Sequence, residues 1–229
     1  MIHTTSDLPV NYVETGRIRL DEDKRLKRRL SFSSVVILIL VLMLGNFLMP
    51  ILSLGLDSSG NIAEPWLLWA KLGTMLLIFV FHSLLLERLK GLIMKKLGGT
   101  DPMFAFSAGG VYAGSPVYFS KRDYRFIALL PMILVAVLFL LITMILPLDW
   151  FWVGYAAQGI NLAGGAGNYY QAFQAGRRTS EVLIQDMGPS LVFYEPSQAP
   201  VRKSGTKGKG NTKRSTPRTS KTPHKVTRT

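Results

Sequence analysis

The chain of 229 residues carries 27 Lys and Arg against 14 Asp and Glu, a formal charge of +13, and it has no cysteine. Disulfides, thiolate metal ligands, a Cys nucleophile and thiol redox chemistry are thereby excluded. Ten of the basic residues and no acid lie in the last 28 positions, from Arg202, so the rest of the chain carries only +3. The apolar residues are gathered into a few long blocks, the signature of a membrane protein rather than of a soluble domain.

Residues 1–33 are polar, and Arg17 to Arg29 crowds seven basic residues around Asp21, Glu22 and Asp23. That composition cannot enter hydrocarbon, so this stretch is expected to be a cytoplasmic N-terminal segment. Val35 to Leu56 is almost wholly aliphatic, broken by Asn46, Pro50 and Ser53. At ~1.5 Å per residue it can cross a ~30 Å hydrocarbon core, and it starts too late and runs too long for a signal peptide. A short polar connection free of Lys and Arg, Asp57 to Pro65, leads to a second block, Trp66 to Leu86. Trp66 and Trp69 have the place of interfacial anchors. Lys71, just over one turn in, is expected to snorkel to that interface. Glu87, Arg88, Lys90, Lys95 and Lys96 follow the block.

Between Leu97 and Tyr124 two short runs, Met103 to Ser107 and Gly110 to Gly114, flank Gly109-Gly110 and predict a small cytoplasmic β-hairpin at the membrane surface. Lys121, Arg122 and Arg125 precede the third block, Phe126 to Leu146, which carries Pro131 near its start. The fourth block, Trp150 to about Tyr170, is less apolar, with Gln158, Asn161, Asn168 and five glycines, and is followed by Arg177 and Arg178. Small residues at four-residue spacing within it (Gly159, Ala163, Gly164, Gly165, Gly167) suit close packing of helices. Two more short strands are expected across Ile184 to Glu195, around Gly188-Pro189, docked near the hairpin. From Ser197 onward disorder is expected.

Basic residues fall before the first block, between the second and third, and after the fourth, so the positive-inside rule puts both termini in the cytoplasm. The expected fold is a mainly α membrane protein with four transmembrane helices, a small cytoplasmic β-hairpin and a disordered basic C-terminal tail. Its parts are an N-terminal segment (1–33), a four-helix membrane domain (34–196) and a polybasic tail (197–229).

His82 is the only histidine in an apolar block, and an ionisable residue inside a membrane segment is a functional-site hypothesis by default. The bland alternative is a neutral imidazole hydrogen-bonded near the cytoplasmic interface. His82 lies 16 residues after Trp66, roughly 24 Å down a helix, and Asn168 lies 18 after Trp150, roughly 27 Å. Both helices run inward, so the two residues share a level near the cytoplasmic leaflet. A polar site built from the second and fourth helices belongs there.

From Trp66 to Pro196 the chain resembles the zincin peptidase family of small integral-membrane proteins, whose function is unknown and which are related to site-2 intramembrane metalloproteases. The resemblance runs through the helix at His82, the loop Ala105 to Pro116, the segment Lys121 to Pro131, Asn161 to Gly167, and Asp186-Met187-Gly188. In that family the first of these helices carries HExxH, two zinc-binding histidines one turn apart with a glutamate that polarises water. A later aspartate resembles the third ligand. Here the motif reads His82-Ser83-Leu84-Leu85-Leu86, with Ser83 at the base position, Leu86 at the second histidine and Asn168 at the aspartate. The interval from His82 to Pro102 is about one helical turn longer than the family's pattern. Moving His82 to the second histidine position places Ile78 and Phe79 in the motif.

The resemblance therefore implies a degenerate, non-hydrolytic member with no catalytic residue and no metal, since one imidazole and a neutral amide cannot hold and activate a hydrolytic zinc. Glu87, five positions from His82, is expected on a different face of the helix. His82, Asn161 and Asn168 are expected as polar contacts in a groove for a membrane-protein client. Zinc enters only if this is an active metalloprotease whose ligands come from elsewhere, with His3 and His224 in flexible ends as remote candidates. A third reading is a tethering protein whose tail, Arg202 to Thr229, meets anionic lipid. That tail lacks aromatic residues for base stacking, so sequence-specific nucleic-acid binding is not expected.

Overall fold

A computed structural model describes residues 4–20, 22–107 and 110–197. The tail expected to be disordered falls, apart from Ser197, outside the described residues, as do His3, Asp21, Gly109 and His224.

Asp23 accepts hydrogen bonds from the amides of Arg25 and Leu26 at 2.9 and 3.0 Å and so caps α1, Lys24–Leu48. The helix thus begins inside the basic segment and stops short of Leu56. Pro50 forces its predecessor Met49 into an extended conformation (φ −149°, ψ 120°), and Ile51–Gly55 continues only as a 3-10 turn. With Pro65 at its first position, α2 runs through Pro65–Gly98, 34 residues and about 51 Å. It passes well beyond Leu86, because Glu, Arg, Lys and Leu are all good helix formers. Gly99, in the left-handed region (φ 71°), ends it.

The hairpin pairs β2, Met103–Ser107, with β3, Gly110–Gly114, in antiparallel register Phe104↔Ala113 and Ser107↔Gly110. A short β4, Tyr118–Ser120, leads straight into α3, Lys121–Ile145. The Ser120 hydroxyl accepts from the Asp123 amide at 3.2 Å and donates to the Asp123 carboxylate at 2.8 Å, closing the first turn. The fourth apolar block is not one helix. It is α4, Phe151–Gly164, and α5, Ala166–Arg177, broken at Gly165. Among the described residues, α1, α2 and α3 are the helices long and apolar enough to cross a membrane.

Helix α4 lies against α1, α2 and α3 together. Its polar side chains are satisfied inside the bundle. Gln158 donates to the Ala136 carbonyl at 2.7 Å and Asn161 to that of Met132 at 3.0 Å. The glycines permit this approach. A Cβ on Gly159 would stand 3.2 Å from Val41 of α1, one on Gly164 would stand 3.1 Å from His82 of α2, and Gly154 and Gly165 press on Thr143 and Met132 of α3.

The strands β5, Leu183–Asp186, and β6, Ser190–Pro196, complete a four-stranded antiparallel sheet in the order β1-β6-β5-β4. Its edge strand β1, Tyr12–Arg19, comes from the polar N-terminal segment, which is therefore structured. Thr5 bridges to Tyr118 at the opposite edge. The turn at Gly188 (φ 87°) abuts the hairpin, where a Cβ on Gly114 would lie 2.7 Å from the Gly188 amide.

Lys71 does not snorkel. It is fully buried, 3.4 Å from the Asp149 carboxylate and 2.8 and 3.3 Å from the carbonyls of Leu56 and Leu54. A cation with no path to water is held by a counter-charge and two backbone oxygens, which fastens both connections at that end of the bundle.

Candidate functional site: a polar cavity at the sheet end of the helices

The helices and the hairpin strand β3 border a half-open cavity of about 260 Å³. Its walls are Lys27, Ser31 and Ser34 of α1, His82, Ser83, Leu86, Glu87 and Lys90 of α2, Tyr112 of β3, and Gly167, Asn168 and Gln171 of α5. At 100° per residue, the α2 positions from 82 to 90 that line it cover an arc of about 140°. Glu87 stands about 140° around the helix from His82, on a different face as expected, yet shares the cavity with it because the cavity wraps around more than one narrow stripe of the helix.

One ion pair organises this region. The Lys90 ammonium lies 2.7 Å from the Asp186 carboxylate, and both side chains are buried. The same carboxylate accepts from the Tyr124 hydroxyl at 3.2 Å and from the Gly188 amide at 2.9 Å. Tyr124 is also 3.1 Å from the Gln171 side-chain oxygen, and the Asp186 carbonyl accepts from the Ser115 amide at 2.6 Å. Residues of α2, α3, the segment after β3 and the β5–β6 turn thus converge on Asp186, and Gln171 of α5 joins them through Tyr124. Beside them Glu87 accepts from the Ala113 amide at 2.7 Å, which ties the hairpin to α2.

His82 makes its hydrogen bond with Asn161, Nε2 to Oδ1 at 3.0 Å, and not with Asn168. Asn161 in turn holds the Met132 carbonyl, so His82 and Asn161 form a buried link across α2, α4 and α3. Asn168 lines the cavity half-buried, one turn beyond the break at Gly165. The residues brought together as expected are His82, Ser83, Leu86 and Asn168, whereas Asn161 sits behind His82. Lys90, Asp186, Gln171, Tyr112 and Tyr124 were not expected at a site. Asp186 stood within a quoted segment, but nothing in the sequence pairs it with Lys90.

The donor set does not fit a zinc ion. Catalytic zinc takes three protein ligands and a water, and among the described residues no three His, Cys, Asp or Glu side chains come together to hold a metal. His82 is engaged by Asn161, Glu87 by a backbone amide and Asp186 by Lys90, whose ammonium already supplies a positive charge. What the cavity offers is a largely apolar surface that carries hydrogen-bonding and charged groups, suited to an extended ligand. Compared with protein-family models, with curated proteins and with solved structures, the chain matches none of them.

Proposed function

We propose that the protein is a polytopic membrane protein with four crossings and cytoplasmic termini, built on a degenerate zincin-like scaffold that holds an extended segment of a membrane-protein client without cleaving it. The observation that carries this reading is the buried Lys90–Asp186 pair beside a cavity that His82, Glu87, Lys90 and Asn168 line. In HExxH spacing, the α2 residues Leu86, Glu87 and Lys90 stand at the first histidine, the glutamate and the second histidine, one turn later than His82. That register agrees with the long interval to Pro102 and keeps a carboxylate at the base position. Lys90 then stands where a ligand to the metal would, its fixed charge in place of the cation, and Asn168 replaces the third ligand.

The topology supports four crossings. Strand β1 precedes α1, β4 follows α2, and β5 and β6 follow α5, yet β1, β4, β5 and β6 belong to one sheet. The chain must return to the same end after α1–α2 and again after α3–α4–α5, an even number of passages. The flanking Lys and Arg assign that end to the cytoplasm.

The recognition edge in this reading is strand β3 at Val111: the Ala113 amide on that side is already held by Glu87, and by antiparallel alternation the Val111 amide faces the same way, beside Tyr112 at the cavity. An extended segment added there gains main-chain hydrogen bonds. The test is full-length protein in lipid nanodiscs, assayed for metal content and for binding and cleavage of fluorescent transmembrane peptides. Peptide retained intact by protein lacking zinc is the expected result. One zinc per chain, with cleavage abolished by Glu87→Gln, overturns the proposal.

A further inference from the structure

The β2–β3 hairpin does not project away from the bundle; it folds back along α2. Cross-contacts fix its direction. Val117, just before β4, lies against Gly98; Pro102 and Phe104 lie against Gly91; the Phe104 ring sits 4.7 Å under the Arg88 guanidinium; and Ala113, paired with Phe104, meets Glu87. Moving from Val117 or Pro102 toward the hairpin tip is therefore moving back up α2, toward its apolar stretch.

A strand advances about 3.3 Å per residue and a helix about 1.5 Å, so two strand residues pass about four helix residues. Phe104 lies against Gly91 and Arg88, so Phe106, two beyond it, stands level with about Leu84 to Glu87, at or within roughly 5 Å of the boundary that Glu87 and Arg88 mark on α2. Phe106 is 83% exposed, as are, to a lesser degree, Met103 on the same strand and Phe81, Leu84 and Leu85 on the helix at that level. Apolar side chains exposed at that depth, continuous with the lipid-facing surface of α2, have a bilayer as their surroundings.

We propose that the hairpin is a membrane-seated element, with Phe106 in the headgroup–acyl boundary and Arg88, over Phe104, at the headgroups. An apolar body buried about 5–10 Å into the interface with basic residues above it is the geometry of interfacial anchoring. The Ala113–Glu87 contact then holds the cavity-lining strand β3 at the bilayer surface, so a client reaches it from the membrane plane. This inference rests on α2 being membrane-spanning.

Because the chain has no cysteine, single-cysteine spin labels test it cleanly. Labels at Phe106→Cys, Phe81→Cys and Glu181→Cys in full-length protein in nanodiscs are compared for collision with oxygen, which partitions into lipid, and with a water-soluble nickel chelate. The expected result is oxygen-dominated collision at positions 81 and 106 and nickel-dominated collision at 181. Nickel-dominated collision at 106, with 81 in lipid, overturns the inference and leaves the membrane reading standing. Protection of 106 from both reagents, the mark of a second copy or another protein over the hairpin, also overturns it. Nickel access at 81 removes the membrane reading itself.

Discussion

Replacing Lys90 by Met is the most informative perturbation of the cavity. Lys90 and Asp186 are 2.7 Å apart and both buried, and removing one partner of such a pair costs about 3–5 kcal/mol. Here the loss falls at the upper end, because Glu87 lines the same cavity and the substitution leaves two carboxylates without their cation. Tyr124 and the Gly188 amide still reach Asp186, which keeps the cost from rising further. Asp186→Asn is milder, since Lys90 keeps Glu87 as a neighbouring counter-charge. The double variant Lys90→Met with Asp186→Asn is expected to be more stable than the sum of the single losses predicts, by about 1–3 kcal/mol. Unfolding by SDS in mixed micelles, followed by tryptophan fluorescence, measures each of these. A Lys90→Met protein within about 1 kcal/mol of the parent at neutral pH, or strictly additive losses, refutes the reasoning.

Three further outcomes are checked by the same unfolding measurement. Lys71→Met strands Asp149 and frees the carbonyls of Leu54 and Leu56, and is expected to cost about 3–5 kcal/mol, whereas a snorkelling lysine would be replaced at almost no cost. Gly114→Ala places a methyl 2.7 Å from the Gly188 amide and the Met187 carbonyl carbon, which are backbone and cannot swing aside. A loss of about 1–3 kcal/mol is expected there, against a few tenths at Gly55, where nothing stands within 4 Å. His82→Phe removes the partner of the Asn161 oxygen while roughly keeping the volume, and about 1–3 kcal/mol is expected for that unsatisfied buried acceptor.

The apolar blocks located α1, α2 and α3 because hydropathy reports which residues tolerate lipid. It does not report where a helix ends. Leu86 marks the last apolar residue of the second block, yet α2 continues to Gly98 through residues that are both charged and helix-forming. At Pro50 the stop was visible in the chain, but the aliphatic Ile51, Leu52 and Leu54 beyond it resembled more span. Strand β1 was hidden for another reason. Its partner β6 lies at the far end of the domain, and its own sequence carries Glu14, Arg17 and Arg19, the charged pattern that protects an exposed sheet edge from further pairing. The break at Gly165 was masked by the very feature that signalled packing, since Gly164-Gly165 serves both.

At the site, depth arithmetic did more than motif matching. Counting residues from Trp66 and Trp150 put His82 and Asn168 at one level, and both line the cavity. The basic residues of α2 were instead read as topology markers or snorkelling side chains, a fate that composition cannot distinguish from capture by a distant acid. Lys71 and Lys90 have both been captured, by Asp149 of a short 3-10 connection and Asp186 at the end of β5, and neither acid belongs to an apolar block. The first of these pairings was within reach of the same arithmetic. Lys71 lies five residues past Trp66, about 8 Å along the helix, and Asp149 immediately precedes Trp150, so both sit near the end of the bundle that the two tryptophans mark. The second was not, because the depth of Asp186 depends on a sheet whose strands come from both ends of the domain. A lysine in a membrane helix is best weighed against the acids at its own level in every other segment before it is assigned to the headgroups.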